Sequence, residues 1–386
     1  MKVLFIIPVL LFSLIMLSQE ANYPTFKEHL LLVQKSEPDC IVLKEGNSKI
    51  LISPNFGARI LTSTANKKSY AWLNEIALKE NIQSKNKKSY GAEDRLWFNP
   101  LGSKFTLYYN QKEIIGSNWN VPKLFDTATF KLVDRTLTVA TFQKKALITN
   151  NIGTKFNVHI DRHLQLFSKI TIENQLQITI PKNVFSVGFS SNNSVTNTGK
   201  DWQQENGLIA PWILGMFRGS KRSTAIFPFN ASTEKPLQLK KYLGEFGKER
   251  VSVRDSVIYF KTDGDKRSKI GLMAKNSTAV IGNYDATNKI LTIITFTFHP
   301  NGKYLSSTET NSEKLFKGDV VNCYNNNPIN NSSSFFELET TAPAKELKTG
   351  ECINHIHNTY HFEGSPEDLN RISKKVLGVD LSQLRD

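Results

Sequence analysis

Cysteine, unbroken apolar runs and the common catalytic signatures are all scarce in this 386-residue chain. Its three cysteines, Cys40, Cys323 and Cys352, allow at most one internal disulfide, so the fold is not a disulfide scaffold. The N-terminal apolar run, Val3 to Leu17, falls short of the ~20 residues that cross a bilayer as a helix. There is no G-x-S-x-G elbow, no P-loop and no G-x-G-x-x-G after a strand, and neither a paired C-x-x-C nor an H-E-x-x-H. Acids are outnumbered, 35 against 49 basic residues, which leaves a net charge of +14. The lysines are scattered rather than gathered into a basic stripe, so nucleic acid is not the expected partner. An anionic polysaccharide or cell-surface polymer suits the charge better, and solubility alone also accounts for it. The densest cluster, Lys79 to Lys88, is rich in Asn and Ser and reads as a solvated loop.

What is present divides the chain in three. Lys2, the run Val3 to Leu17 and then Ser18-Gln19-Glu20-Ala21 have the order of a signal peptide, assigned to residues 1–21. Its cleavage would leave no stable membrane insertion and a secreted or periplasmic protein. Residues 22–364 are assigned to one large domain. Residues 365–386 are assigned to a C-terminal helix packed on it. There Ser365-Pro366-Glu367-Asp368 offers an N-cap, a first-turn proline and early acids, Leu369, Ile372 and Val376 recur at helical spacing, and Gly378 stops the run.

Between these ends strand signals repeat. Lys49 to Ser53, Ala58 to Thr64, Thr136 to Phe142, Phe156 to Arg162, Ile170 to Ile180, Thr224 to Phe229 and Lys289 to Phe298 are rich in β-branched and aromatic residues. Residues 22–48 read as a polar lead-in, Trp72 to Glu80 as a short helix and Asn192 to Gly199 as an amide-rich loop. Asp263-Gly264-Asp265 reads as a hairpin-type turn, and Trp212 to Phe217 as core. The expected fold is all-β: one large antiparallel β-sandwich, taken to be a monomer.

Two stretches carry the candidate chemistry. Phe335 to Thr341 reads as a strand in which Glu337 and Glu339 share a face, roughly 6.5 Å apart, with Phe336 and Leu338 on the other. Two carboxylates that close disfavour double ionisation, so one should titrate high enough to act as a base. The next strand places His355, His357, Thr359 and His361 on one face. H-x-H spacing alone is weak evidence for a metal, and no metal or cofactor is assigned. The second stretch is Glu93-Asp94-Arg95-Leu96-Trp97. An Arg between acids and an indole can clamp a sugar, with forked donors for hydroxyls and a ring face for stacking. The plainer alternatives are solvated sheet faces for the two C-terminal strands, and a buried salt bridge for the Arg95 loop.

Taken together, several segments resemble a known family. They are Gly91 to Trp97, Asn193 to Gly199 with Trp202, Trp212 to Phe217, Lys266 to Gly271, Gly318 to Asn322, Glu337 to Thr340 with Pro343-Ala344, and His355-x-His357 with Tyr360 to Gly364. They are similar to an exported, Bacteroidetes-type bacterial family without a settled function. That family is related to the galactose mutarotase-like, or aldose 1-epimerase-like, β-supersandwich. The resemblance implies a carbohydrate ligand and proton transfer on a sugar or oligosaccharide, with lyases and hydrolases of the same fold as neighbouring chemistries. It also implies a rival class, a non-catalytic carbohydrate-binding module of the cell envelope. Leu338-Glu339-Thr340 followed by Pro343 matches the strand that carries the base of mutarotases, which makes Glu339 the base candidate. Asp94-Arg95 resembles their Asn-Arg sugar-binding pair. Their acid is a histidine in a loop that falls here at Ser191 to Ser194, where no histidine stands. His355 and His357 are the expected replacements, and Glu93, Asp94, Arg95, Trp97, Asn193, Glu337 and His361 are the expected ligand contacts.

Overall fold

The structure, a computed structural model, describes residues 23–79, 91–108, 120–231, 239–243, 246–306, 314–327 and 334–384. The signal-peptide assignment and most of the Lys79 to Lys88 loop lie outside these residues. In chain order the first half forms α1 (Phe26–Ser36), β1 (Ile41–Glu45), β2 (Ser48–Ser53), β3 (Arg59–Thr64), α2 (Glu75–Lys79) and β4 (Arg95–Asn99). It continues with α3 (Lys123–Asp126), β5 (Lys131–Arg135), β6 (Val139–Thr149), β7 (Lys155–Leu166), α4 (Lys169–Leu176) and β8 (Phe185–Asn197). Then come β9 (Ala210–Arg218), β10 (Ser223–Pro228), β11 (Leu239–Tyr242), β12 (Val251–Arg254), β13 (Val257–Lys261) and β14 (Ser268–Met273). The chain closes with β15 (Val280–Asp285), β16 (Ile290–Phe296), β17 (Asp319–Asn325), β18 (Phe335–Thr341), β19 (Cys352–Glu363) and α5 (Pro366–Val376).

These strands make three antiparallel sheets. A ten-stranded sheet runs β12-β13-β10-β15-β16-β19-β8-β7-β6-β5, and a six-stranded sheet runs β11-β14-β17-β18-β9-β4. A third sheet, β1-β2-β3, is covered on one side by α1 and α2, with Phe26, Val33, Leu51, Leu61 and Ala77 buried between them. The two large sheets face each other across apolar layers that join Ile213 and Leu338 of one to Val187, Ile294 and Ile353 of the other. This is the expected large antiparallel β-sandwich, with its short C-terminal helix. Burying alternate residues on both inner faces is what lets a chain with so little helix hold a core.

Four local expectations are corrected. The polar lead-in contains α1, whose start is a capping box: Glu28 N donates to Thr25 Oγ1, and Thr25 N donates to Glu28 Oε2. Residues 169–176 are helix, not strand. Ser168 caps α4, Ile172 and Leu176 are buried one turn apart, and Ile170 is left exposed. Gly188 has no side chain to keep Ile172 and Tyr360 away, so the helix lies close on the sheet. The β-branched run is thus overridden by packing. The amide-rich stretch from Asn192 is no loop but the end of β8, paired on both sides with β7 and β19. Finally, Asp263-Gly264-Asp265 does not close a hairpin. Gly264 turns at φ +76°, and the chain passes from β13 in the large sheet to β14 in the six-stranded sheet.

Helices α4 and α5 cover the far side of the ten-stranded sheet. Leu369 and Ile372 of α5 pack with Leu291, Ile293, Tyr360 and Phe362. Their backing fixes the outer face of β19 while its inner face carries histidines. Leu369, with no exposed surface, is the central contact. Leu369→Ala is expected to cost about 2–5 kcal/mol in equilibrium urea unfolding; a loss below about 0.5 kcal/mol would show that α5 does not support the sheet.

Candidate active site

The site is built on the outward face of the six-stranded sheet, the face turned away from the ten-stranded one. Cross-strand register sets its contents. One row across five neighbouring strands reads Gly271, Asn322, Glu339, Leu214 and Arg95, and the next reads Lys269, Tyr324, Glu337 and Met216. A third row holds Thr341, Trp212 and Trp97. Residues at paired positions share a face, so two acids, two cations and two indoles line one surface. Arg95 donates to Glu337, and its guanidinium lies 5.4 Å from the Trp97 ring. Trp97 meets Trp212 edge-on at 5.9 Å and stacks on Tyr108 and Phe125.

Glu339 is the centre of this surface. It is fully buried. Its Oε2 accepts from Trp212 Nε1 at 3.1 Å, and both carboxylate oxygens accept from Lys269 Nζ at 2.9 Å. Lys269 also lies over the Trp212 ring, 5.2 Å from its centre. Burial pushes the Glu339 carboxyl up to about 7; Lys269 pulls against that shift, Glu337 adds to it and Arg95 opposes it. The high titration expected of paired carboxylates is therefore present, but desolvation is its first cause and Glu337 only a contributor.

The remaining predicted residues lie elsewhere. His355 and His357 belong to β19, in the opposite sheet, and point into the sandwich interior. His355 Nε2 and His357 Nδ1 both lie 2.8 Å from Thr340 Oγ1. Thr340 follows Glu339 in sequence and points the other way, so the six-stranded sheet separates the imidazoles from the carboxylate. The expectation that they share the Glu339 surface does not hold. Neither does a solvated face for either strand, since Glu339, His355, His357 and His361 are all buried. His361 Nε2 meets Glu93 Oε2 at 3.0 Å and its Nδ1 meets Thr292. Glu93 also accepts from Ser63 N and Ser63 Oγ, both at 2.7 Å. Asp94 pairs with Arg162 and accepts from Ser191. Asn193 donates to the carbonyl of His355 at 3.1 Å. Glu93, Asp94, Asn193 and the three histidines thus knit the interior, while Arg95, Trp97, Glu337 and Glu339 meet outside it.

Sequence reasoning assigned no site role to Lys269, Asp319, Asn322 or Trp212. Asp319 accepts from Tyr242 and from Asn322 Nδ2, and pairs with Lys240 at 3.6 Å. Gly271 leaves it room, because a Cβ there would collide with the Asp319 carboxylate. A signal was available. Lys269 stands at the start of β14 with its side chain on the face opposite Ile270 and Leu272, and Asp319 and Asn322 share one face of β17 across a register shift. Among the described residues no group of three or more His, Cys, Asp or Glu is placed to hold a metal ion.

Comparisons with known proteins agree on the architecture. A candidate aldose 1-epimerase of Escherichia coli K12 superposes with a TM-score of 0.52 at 11% identity, over 84% of this chain and 99% of that one. The Slr1438 protein of Synechocystis sp. PCC 6803 gives 0.50 at 8% identity, over 83% and 95%. A galactose mutarotase-like protein from Lactobacillus casei ATCC 334 gives 0.45 at 12%, over 84% and 100%. At such identities the likeness to the first two is one of fold. A search of the curated proteins gives no match. The sequence model of a family of unknown function, DUF6786, matches residues 24–386.

The interior histidines lead to a test. Burial holds both His355 and His357 down to about 3, with His357 adding to the effect on His355 and Arg162 to that on His357. Below the ordinary histidine value of about 6.5 the unfolded chain takes up these protons and the folded chain does not, so stability falls from there toward pH 3. Glu339 works oppositely: it binds its proton in the fold between about 7 and its ordinary value near 4.5, which favours the fold as pH drops through that window. His357→Gln is expected to flatten the fall in unfolding free energy between pH 6 and 4.5 by about 1.4 kcal/mol per pH unit. An unchanged slope in urea titrations would mean that His357 is charged in the fold.

Proposed function

The chain belongs to the DUF6786 family, and we propose that it is a carbohydrate-active protein that moves a proton at the anomeric centre of a sugar. One observation carries this reading. A buried carboxylate raised to about 7 sits among Arg95, Trp97, Trp212 and Asn322 on one face of a galactose mutarotase-like sandwich. A base works best when its pKa lies near the working pH, and indoles beside forked donors suit the apolar face and the hydroxyls of a pyranose. Glu339 is the base. Arg95, held by Glu337, orients the sugar, and the Trp212 N–H holds the Glu339 carboxylate in place. The apolar run at Val3 to Leu17 directs the protein out of the cytoplasm, where free sugars and cell-envelope glycans are its ligands.

A specific observation also favours the rival class, a non-catalytic binding module. Each acid on this face is ion-paired: Glu337 with Arg95, Glu339 with Lys269 and Asp319 with Lys240. Pairs of this kind can line a binding surface without chemistry.

Glu339→Gln separates the two. With Glu339 as base, the exchange of α and β anomers is expected to slow by about 10²–10⁴-fold, with a melting temperature within a few degrees of the parent. Wild-type turnover should rise with pH through about 7, as the carboxylate loses its proton. Unchanged turnover with a large loss of stability would make Glu339 a strand-pairing residue. Glycan-array binding without turnover of any free sugar would make the protein a binding module.

A further inference from the structure

Proton transfer at an anomeric centre needs two groups. One takes the proton of the C1 hydroxyl while the other gives a proton to the ring oxygen. Both oxygens are bonded to C1, so the base and the acid that serve them must be near neighbours rather than opposed across a wide cleft. Glu339 has one such neighbour. The Lys269 ammonium lies 2.9 Å from each of its carboxylate oxygens, and its side chain is 16% exposed where Glu339 has no exposed surface, so the lysine is the member of the pair that faces the approach of a ligand.

The other donors nearby are poorer acids. A guanidinium is a hydrogen-bond donor and not a working acid, and that of Arg95 is engaged with Glu337 and the Leu214 carbonyl. An indole N–H, as on Trp212, is a hydrogen-bond donor and not an acid. Tyr242 gives its hydroxyl hydrogen to Asp319, and burial, with that carboxylate second, pushes its pKa far up. The imidazoles of His355 and His357 are behind the sheet.

We propose that Lys269 is the proton donor paired with Glu339, so that the two residues form one acid–base couple acting on a free hemiacetal. The inference rests on the proton-transfer reading above. In the forward step the Glu339 carboxylate takes the proton of the C1 hydroxyl, and the electrons of that O–H bond form the carbonyl. The C1–ring-oxygen bond breaks, its electron pair stays on the ring oxygen, and Lys269 delivers a proton there. The open-chain sugar turns about its C1–C2 bond. Reclosure then runs the steps backward and returns both protons, with no oxidant or cofactor consumed. A glycoside carries no proton on its C1 oxygen for Glu339 to take. The substrates of the couple are therefore reducing sugars, and glycosidic bonds are left intact.

The test follows single anomers of free aldoses by polarimetry on the full chain. It compares wild type, Glu339→Gln, Lys269→Arg and Lys269→Ala. Lys269→Arg keeps the charge and an ion pair but does not release its proton. It is expected to lose about 10²–10⁴-fold in kcat, with its melting temperature and its sugar-induced tryptophan fluorescence change retained. Lys269→Ala should be equally slow and regain rate with added methylamine, and methyl glycosides should survive every variant. Wild-type rates in Lys269→Arg, beside an inactive Glu339→Gln, overturn the Lys269 assignment alone and leave the Glu339 reading in place. If Lys269→Arg fails to fold, Lys269→Ala decides: methylamine rescue supports the donor role, and its absence in a folded, sugar-binding variant overturns it. A wild-type protein that speeds no aldose overturns both readings.

Discussion

Strand β18 places a carboxylate on one side of a sheet and a hydroxyl on the other, one residue apart, and both are fully buried. Glu339 faces outward to Lys269 and Trp212; Thr340 faces inward to two imidazoles. A register slip of one residue would exchange these faces. It would set a carboxylate against neutral histidines and a threonine against an ammonium. The cost of burying unmatched polar groups therefore acts on register, over and above the apolar contacts of Phe336 and Leu338 in the core. The hydroxyl has one proton, so at least one of its two imidazole partners must donate to it. That fixes the strand opposite as well.

The interior network reaches the outward surface through the chain itself. Glu93, Asp94 and Arg95 are consecutive, yet the first two are buried in the interior and the third lies outside. Glu93 and Asp94 hydrogen-bond to the Ile60 carbonyl through their backbone N–H groups, just before β4 begins. Their carboxylates are taken by Ser63 and His361, and by Arg162 and Ser191. From Arg95 onward strict alternation applies, and Arg95, Trp97 and Asn99 share the outward side. Arg59 adds a second tie, donating to the Phe125 carbonyl at 2.6 Å and to Asp126 at 2.8 Å. It thus holds the ring on which Trp97 stacks. Buried pairs such as Arg162–Asp94 need not stabilise the fold relative to apolar residues. Here they anchor the strand that carries Arg95 and Trp97.

Alternation was the readable part of the sequence. It correctly gave the shared face of Glu337 and Glu339 and the shared face of the β19 histidines, and helical spacing gave the short helix at Leu369 and Ile372. Periodicity carries no information about which sheet a strand joins, and that is where the histidines were misplaced. A polar row on β19 looks the same whether it meets solvent, a ligand or the hydroxyl of another strand. The amides of Asn192 and Asn193 read as a loop because asparagine is poor in strands, yet pairing on both edges outweighs that preference. Lys269 is inconspicuous in the sequence for a related reason. A lysine at the start of a strand, just after Lys266 and Arg267, gains meaning only when β17 sets it beside β18, and that pairing joins segments about seventy residues apart.

The state of Glu339 depends on two effects that oppose each other. Burial favours the neutral acid, and an acid already holding its proton cannot act as a base near neutral pH. An adjacent ammonium favours the carboxylate, and a carboxylate held far below its ordinary range is too weakly basic to take a hydroxyl proton. Either effect alone would spoil the group. Together they leave it near 7, with burial the larger of the two. A plain strand-pairing contact requires no such balance, and an exposed Lys–Glu pair would show none, because water screens both effects. The bidentate contact with Lys269 is made at a carboxylate with no exposed surface, so neither effect is screened and the two meet at full strength.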